Sequence, residues 1–298
     1  PLGNSRGNRS SGRGEMRRIS SILSAANITV PSVKKGDGME LSLEGKWALV
    51  CGASQGIGAS AATSLAELGA SVILLSRNQE KLEKLQKTLK NPERHKVLSF
   101  DLSNYQELSK FLSENLKPEE TPVVIVNNAG GPPAGPLLEV SPEAFQTALS
   151  SHVCAAQALI QYAIPRMKEL KFGRVINVIS TSVKAPIANL GLSNTVRGAM
   201  ANWSKSLANE VGPFGVTVNN VLPGYTETPR LENLVKKASE KQNISESQVM
   251  EMWKSTIPLR RFADPKETGD VIAFLASPAA GYINGINVPV DGGRTASL

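Results

Sequence analysis

From residue 46 onward the apolar positions come in short runs rich in Val and Ile, separated by stretches in which apolar residues recur at helical spacing. The runs at 47–51, 71–75, 96–100, 123–126, 174–179 and 216–222 read as strands, and 78–90, 104–116, 141–170 and 191–211 read as amphipathic helices. Strands that are apolar throughout are covered on both faces, so the alternation predicts βαβ units around a parallel sheet. Six or seven strands with right-handed crossovers give an α/β, doubly wound parallel sheet of the Rossmann type, expected as a single domain over 39–298. The segment 229–262 breaks the rhythm: it is polar, helical in pattern and follows the sixth strand. Insertions there sit beside the carboxyl ends of the strands, where ligands bind in open α/β sheets, so 229–262 is expected to be a substrate lid; a helix pair for packing or oligomer contact is the other reading.

Residues 1–38 show no sustained apolar period and are expected to be a flexible basic tail. Pro1-Leu2-Gly3-Asn4-Ser5 resembles a protease-cleavage scar, and the basic stretch Arg17-Arg18-Ile19-Ser20-Ser21-Ile22-Leu23 is poor in acids, as targeting segments are. Charge sharpens this division. The chain of 298 residues carries a net charge of +7, of which residues 1–38 hold +5. The remainder is nearly neutral, which argues against a nucleic-acid partner. No apolar run reaches the roughly 18 residues of a membrane span. Two cysteines, Cys51 and Cys154, cannot make a disulfide framework, and two histidines without a Cys-x-x-Cys pair argue against a structural metal, so a metal-free cytoplasmic protein is expected. Cys154 falls in an apolar helical pattern and is expected to be buried.

The first predicted strand runs into Gly52-Ala53-Ser54-Gln55-Gly56-Ile57-Gly58 and then a helix. Glycines in such a turn let backbone N–H groups approach a pyrophosphate, and the helix N-terminus adds its partial positive charge. Where the second strand ends, an acid would select the free ribose hydroxyls of NAD. Here stand Ser76-Arg77-Asn78. A guanidinium can pair with a 2′-phosphate, so Arg77 points to NADP(H).

These features and several others together resemble the short-chain dehydrogenase/reductase family, especially its 3-oxoacyl-carrier-protein-reductase-like members, over residues 43 to about 294. Gly52-x-x-x-Gly56-x-Gly58 matches the family's glycine motif, with Cys51 where threonine is usual. By resemblance, Asp101-Leu102 meet the adenine, Asn127-Asn128-Ala129-Gly130 line the ribose side, and Pro223-Gly224-Tyr225-Thr226-Glu227-Thr228 hold the nicotinamide carboxamide. Pro258-Leu259-x-Arg261, Phe274-Leu275-Ala276-Ser277 and Val290-Asp291-Gly292-Gly293 extend the likeness. The family's catalytic pattern is Ser, then Tyr thirteen residues on and Lys four further, with an Asn on the preceding long helix. Ser180 fits the serine, but Ser193 and Arg197 stand at the other two positions and His152 at the Asn position.

Hydride delivery to a carbonyl builds negative charge on oxygen, which needs hydrogen-bond donors and a positive environment. Ser180 and Ser193 can donate, Arg197 can stabilise an oxyanion or hold the ribose, and His152, with an ordinary pKa near neutrality, is a candidate proton relay. The expected function is NADP(H)-dependent reduction of a small carbonyl or 3-oxoacyl-type substrate, with a redox-inactive NADP(H)-binding sensor or assembly protein as the alternative. Enoyl reduction is disfavoured: enoyl-reducing relatives use Tyr-x₆-Lys, and none of Tyr105, Tyr162, Tyr225 and Tyr282 has lysine seven residues later. The resemblance also implies a homo-tetramer or homo-dimer paired through the two long helices and the last strand, with Ala155, Ala156, Ala158, Ala199 and Ala201 permitting close approach.

Overall fold

Strands β1 (Trp47–Cys51), β2 (Ser71–Ser76), β3 (Lys96–Ser99), β4 (Val124–Asn127), β5 (Gly173–Val178), β6 (Val216–Pro223) and β7 (Asn287–Val290) form one all-parallel sheet in the order β3-β2-β1-β4-β5-β6-β7. This is a computed structural model that describes residues 38–297; the expectations for the tail fall almost wholly on 1–37, outside the described residues. The helices are α1 (Gly56–Glu67), α2 (Gln79–Thr88), α3 (Tyr105–Asn115), α4 (Pro142–Leu149), α5 (Ala155–Leu170), α6 (Gly191–Val211), α7 (Pro229–Gln242), α8 (Glu246–Ser255) and α9 (Pro265–Ala276). The doubly wound parallel sheet is thus the one the sequence predicts, with the predicted strand limits displaced by a residue at several ends.

Successive strand residues point to opposite faces, and both faces are covered. On one side Val50, Leu74, Val124 and Val126 pack with Leu65 of α1 and Ile272 of α9. On the other, Leu49, Ile73 and Ile125 pack with Leu108 and Leu112 of α3 and with Leu159 and Met167 of α5. Five of the nine helices among the described residues start at a side chain that accepts a hydrogen bond from the first turn: Asn78, Ser141, Thr228, Ser245 and Asp264.

The predicted helix 141–170 is not continuous. Between α4 and α5 lies a π turn over Ser150–Cys154, which inserts an extra residue and rotates Ser151 and His152 relative to a regular helix. One added residue leaves the apolar pattern nearly intact, so the sequence hides it. Cys154 is half-buried rather than buried, a second correction. Ala155 and Ala156 are buried in the subunit's own core clusters, so they are not free to face a second copy.

Across the middle of the sheet runs a row of buried or half-buried asparagines held in register. Asn127 pairs with Asn177, Asn177 with Asn220, and Asn220 with Asn287. The Asn127 Nδ2 donates to Asn177 Oδ1 at 2.7 Å, Asn177 Nδ2 to Asn220 Oδ1 at 3.0 Å, and Asn220 Nδ2 to Asn287 Oδ1 at 2.8 Å. Ser204 of α6 joins the row, accepting from Asn177 at 2.7 Å and donating to Asn220 at 2.7 Å. Each of these side chains has a partner within the row, which is the condition for burying it.

Candidate active site

The sheet order reverses between β1 and β4, and such a switch point opens a crevice at the carboxyl ends of the strands. A solvent-open cleft with an empty volume of about 2350 Å³ lies there. At its floor, Gly52 and Gly56 adopt left-handed backbone, at φ +60° and +58°. A Cβ on Gly52 would collide with the Asn128 carbonyl. Asn128 ties this turn to the end of β4, donating from Nδ2 to the Cys51 and Gly52 carbonyls at 3.3 and 3.4 Å.

Ser54, Gln55 and Ile57 line the cleft beside Gly52 and Gly56. Gly58 is buried below the turn, where a side chain would run into the Gly52 carbonyl, and is not on the cleft wall. At the β2 end, Ser76, Arg77 and Asn78 line the same cleft. The Arg77 side chain is 80% exposed and sits 3.8 Å from Asp101, so it is only loosely held. Asn78 is engaged as the α2 cap, accepting from the Lys81 N–H at 2.9 Å. Asp101 accepts from the backbone and hydroxyl of Ser103, both at 2.9 Å, and these bonds hold its carboxyl below the usual range. Leu102, Ala129, Gly130, Pro223, Gly224, Thr226 and Thr228 complete the predicted binding set on the cleft wall. Lys81, with Nζ 3.1 Å from Gln55 Oε1, is a second cation at this end that sequence reasoning missed.

At the other end, Ser180, Ser193 and Arg197 all line the cleft. Ser180 starts a 3₁₀ turn, its Oγ accepting from the Ser182 N–H at 3.1 Å, which leaves its hydroxyl proton free to donate. Arg197 is buried; its guanidinium donates to the Val178 carbonyl at 2.7 Å and the Ala129 carbonyl at 3.3 Å. Burial, and after it the nearby Arg230, draw its pKa down to about 10, which still leaves it a cation at neutral pH.

His152 departs from expectation. It lines a small pocket about the size of one water with Asn127, Asn128, Ser151 and Arg197, which adjoins the cleft through Asn128, Ser151 and Arg197, and it is not itself on the cleft wall. It is 5% exposed and its Nε2 has no hydrogen-bond partner. Burial first, then the positive charges of Arg197 and Arg230, push its pKa down to about 3. The expected proton relay near neutrality is therefore overturned: in the folded protein this imidazole is neutral throughout the physiological range.

The segment 229–262 supplies α7 and α8, joined by a small apolar cluster of Leu231, Val235, Val249, Ile257 and Phe262. Tyr225 stacks on Trp253 with centroids 4.9 Å apart, and the Arg294 guanidinium lies 4.5 Å from the Tyr225 ring. The first turn of α7 faces the cleft through Arg230, Leu231 and Leu234. Arg230 reaches across and donates to the Gly131 carbonyl at 3.0 Å. Arg230 and Arg294 were not singled out from sequence. A signal existed for Arg230, since a cation at the second residue of a helix opposes the helix dipole.

A family model described as enoyl-(acyl carrier protein) reductase matches residues 52–295. The NADPH-dependent reductase BacG of Bacillus subtilis (strain 168) is 31% identical over 254 residues, spanning 84% of this chain and 98% of its own length. The chain belongs to the short-chain dehydrogenase/reductase family. A second relative, the 3-oxoacyl-[acyl-carrier-protein] reductase FabG of Pseudomonas aeruginosa, is 32% identical, with 85% of this chain and 98% of its own covered. Among solved structures, an L-sorbose reductase from Gluconobacter frateurii complexed with NADPH and L-sorbose superposes with a TM-score of 0.81 at 27% identity, covering 87% of this chain and all of its own. This short-chain reductase fold brings its Ser180, Ser193 and Arg197 to one end of the cleft and its glycine turn and Arg77 to the other.

Proposed function

We propose that this protein is an NADP(H)-dependent reductase of a small carbonyl compound, working with Ser180, Ser193 and Arg197. The observation that carries the reading is the single cleft, with a phosphate-accepting glycine turn and exposed Arg77 and Lys81 at one end and two hydroxyls beside a buried guanidinium at the other. A dinucleotide fits the residues present. Gly52 and Gly56 keep the turn free of side chains, and the α1 N-terminus points its N–H groups at the pyrophosphate position. Arg77 and Lys81 suit a 2′-phosphate. NADPH, when bound, supplies the hydride.

The substrate's carbonyl oxygen would take its proton from solvent in the open cleft. Ser180 and Ser193 donate hydrogen bonds to the oxygen, and Arg197 stabilises the charge that develops there. Both carbonyls bound by Arg197 fix its orientation in advance. His152 takes no proton in this scheme. The spacing of tyrosine and lysine used by enoyl reducers is absent, so carbonyl reduction is preferred over the reaction in the family description. The 229–262 helix pair is the lid of the site. The molecule is further proposed to act as a homo-oligomer in a reducing, cytoplasmic setting: β7 lies at an open sheet edge and is preceded by exposed Tyr282 and Ile286.

The test is NADPH oxidation over a panel of ketones and 3-oxoacyl thioesters, with cofactor binding titrated in parallel. Arg197→Ala is expected to lower kcat at least about 100-fold while NADPH affinity falls far less. NADPH is expected to bind at least about tenfold more tightly than NADH, about 1.4 kcal/mol, and Arg77→Ala to remove most of that difference. Tight NADPH binding with no turnover of any carbonyl would favour the redox-inactive sensor instead.

A further inference from the structure

The substrate end of the cleft is cationic. Arg197, Arg230 and Arg294 line it, and among the described residues the one acid on the cleft wall, Asp101, lies at the opposite end beside Arg77. Among the described residues, none of the three arginines pairs with a carboxylate. Arg197 and Arg230 are bound only by backbone carbonyls, and Arg294 rests on the Tyr225 ring with a 3.5 Å contact to its hydroxyl. Burial, and after it the charge of Arg230, weakens the hold of Arg197 on its proton.

Two further features mark the placement of Arg230. It occupies the second residue of α7, where the helix end already carries positive partial charge. Its guanidinium also fills the space that a Cβ on Gly131 would need, so the loop after β4 is kept bare to admit it. An exposed cation at a helix N-terminus beside the buried Arg197, both on one cleft wall and neither paired with a carboxylate, is an arrangement that recognises an anion.

We infer that the substrate of this reductase carries an anionic group, a carboxylate next to or near the reacting carbonyl, and that Arg230 with Arg294 recognises it while Arg197 stays at the carbonyl. This deepens the reading above and rests on it for the identity of the reacting group. An oxo acid satisfies both demands: its ketone oxygen meets Ser180 and Ser193, and its carboxylate enters the forked donors of Arg230.

The experiment uses the full chain with short- and medium-chain 2-oxo and 3-oxo acids, each paired with its methyl ester. Calorimetry on the NADP⁺ complex reads binding without turnover, since an oxidised cofactor and a ketone form a dead-end complex. NADPH oxidation then gives kcat/KM for the same pairs. At least one acid is expected to bind, and to react, at least tenfold better than its ester. Arg230→Ala is expected to reduce that acid-over-ester ratio at least tenfold, Arg230→Lys to restore part of it, and Gly131→Ala to lower it by displacing the guanidinium. Acid binding with no NADPH oxidation would retain the anion site while removing the reductase reading. Ester turnover equal to acid turnover, or no acid binding better than its ester, would overturn the anion site. An Arg230→Ala variant that loses NADPH affinity as steeply as acid preference would also overturn it, by assigning the charge to the cofactor's pyrophosphate.

Discussion

His152 shows how far a side chain's setting can move it from its ordinary chemistry. Its pKa in the folded chain, about 3, lies well below the value near 6.5 that it recovers on unfolding. Between those two values the unfolded chain binds a proton that the folded one excludes. Stability therefore falls as pH drops from about 6.5 toward 3, by up to about 1.4 kcal/mol per pH unit from this residue. His152→Asn is expected to flatten that dependence, read as urea midpoints between about pH 7 and pH 4, and to leave no change in the pH profile of kcat near neutrality. A parallel acid slope in both proteins would refute the assignment. Positions at the ends of strands were legible in the sequence: Gly52, Gly56, Asn128 and Gly224 stand where a strand-to-loop motif puts them. Arg230, Arg294 and Lys81 were not, because the fold and not their local sequence carries them to the cleft. The neutral state of His152 was hidden for the same reason, since burial and Arg197 together create it.

Elements with a strong period were read correctly, as α6 shows, its predicted and observed limits agreeing at 191–211. The failure at 141–170 came from the π turn, a change of winding that costs the apolar pattern almost nothing. Helix α7 offers a direct test of how a cap governs the segment that carries Arg230. Thr228 Oγ1 accepts from the Leu231 N–H at 3.4 Å and donates to the Thr226 carbonyl at 3.2 Å, linking the loop after β6 to the helix that carries Arg230. Thr228→Ala is expected to destabilise α7 by about 1 kcal/mol. Amide exchange in the first turns of α7 should then quicken about fivefold, with β1 unaffected. Unchanged exchange in α7 would show that the apolar cluster with α8, rather than the cap, holds the helix.

For the molecule as a whole, the parallel sheet was legible because buried Val and Ile runs leave few alternatives, whereas the short, half-buried seventh strand Asn287–Val290 was not placed. The asparagine row was not legible. A lone Asn in an apolar run reads as a weak strand residue until its neighbours are known, and those neighbours lie about 40 to 70 residues away. Asn177 is the centre of the row and is fully buried. Asn177→Ala removes two donated bonds and one accepted bond and strands the Asn127 amide, an expected loss of about 3 kcal/mol in unfolding free energy by chemical denaturation. A loss below about 1 kcal/mol would mean that water or a neighbour takes over the orphaned amide.

The row also constrains how this sequence can drift over generations. A single exchange of Asn220 or Asn287 for an aliphatic residue leaves its partner's amide buried and unbonded, whereas replacing both with residues of like shape removes the demand as well as the bond. Neighbouring positions along the row are therefore expected to be inherited as a block and to change in pairs. Viable lineages would pass between an amide rung and an aliphatic rung through a weakened intermediate, which makes the rung resistant to piecemeal replacement even though it touches no substrate.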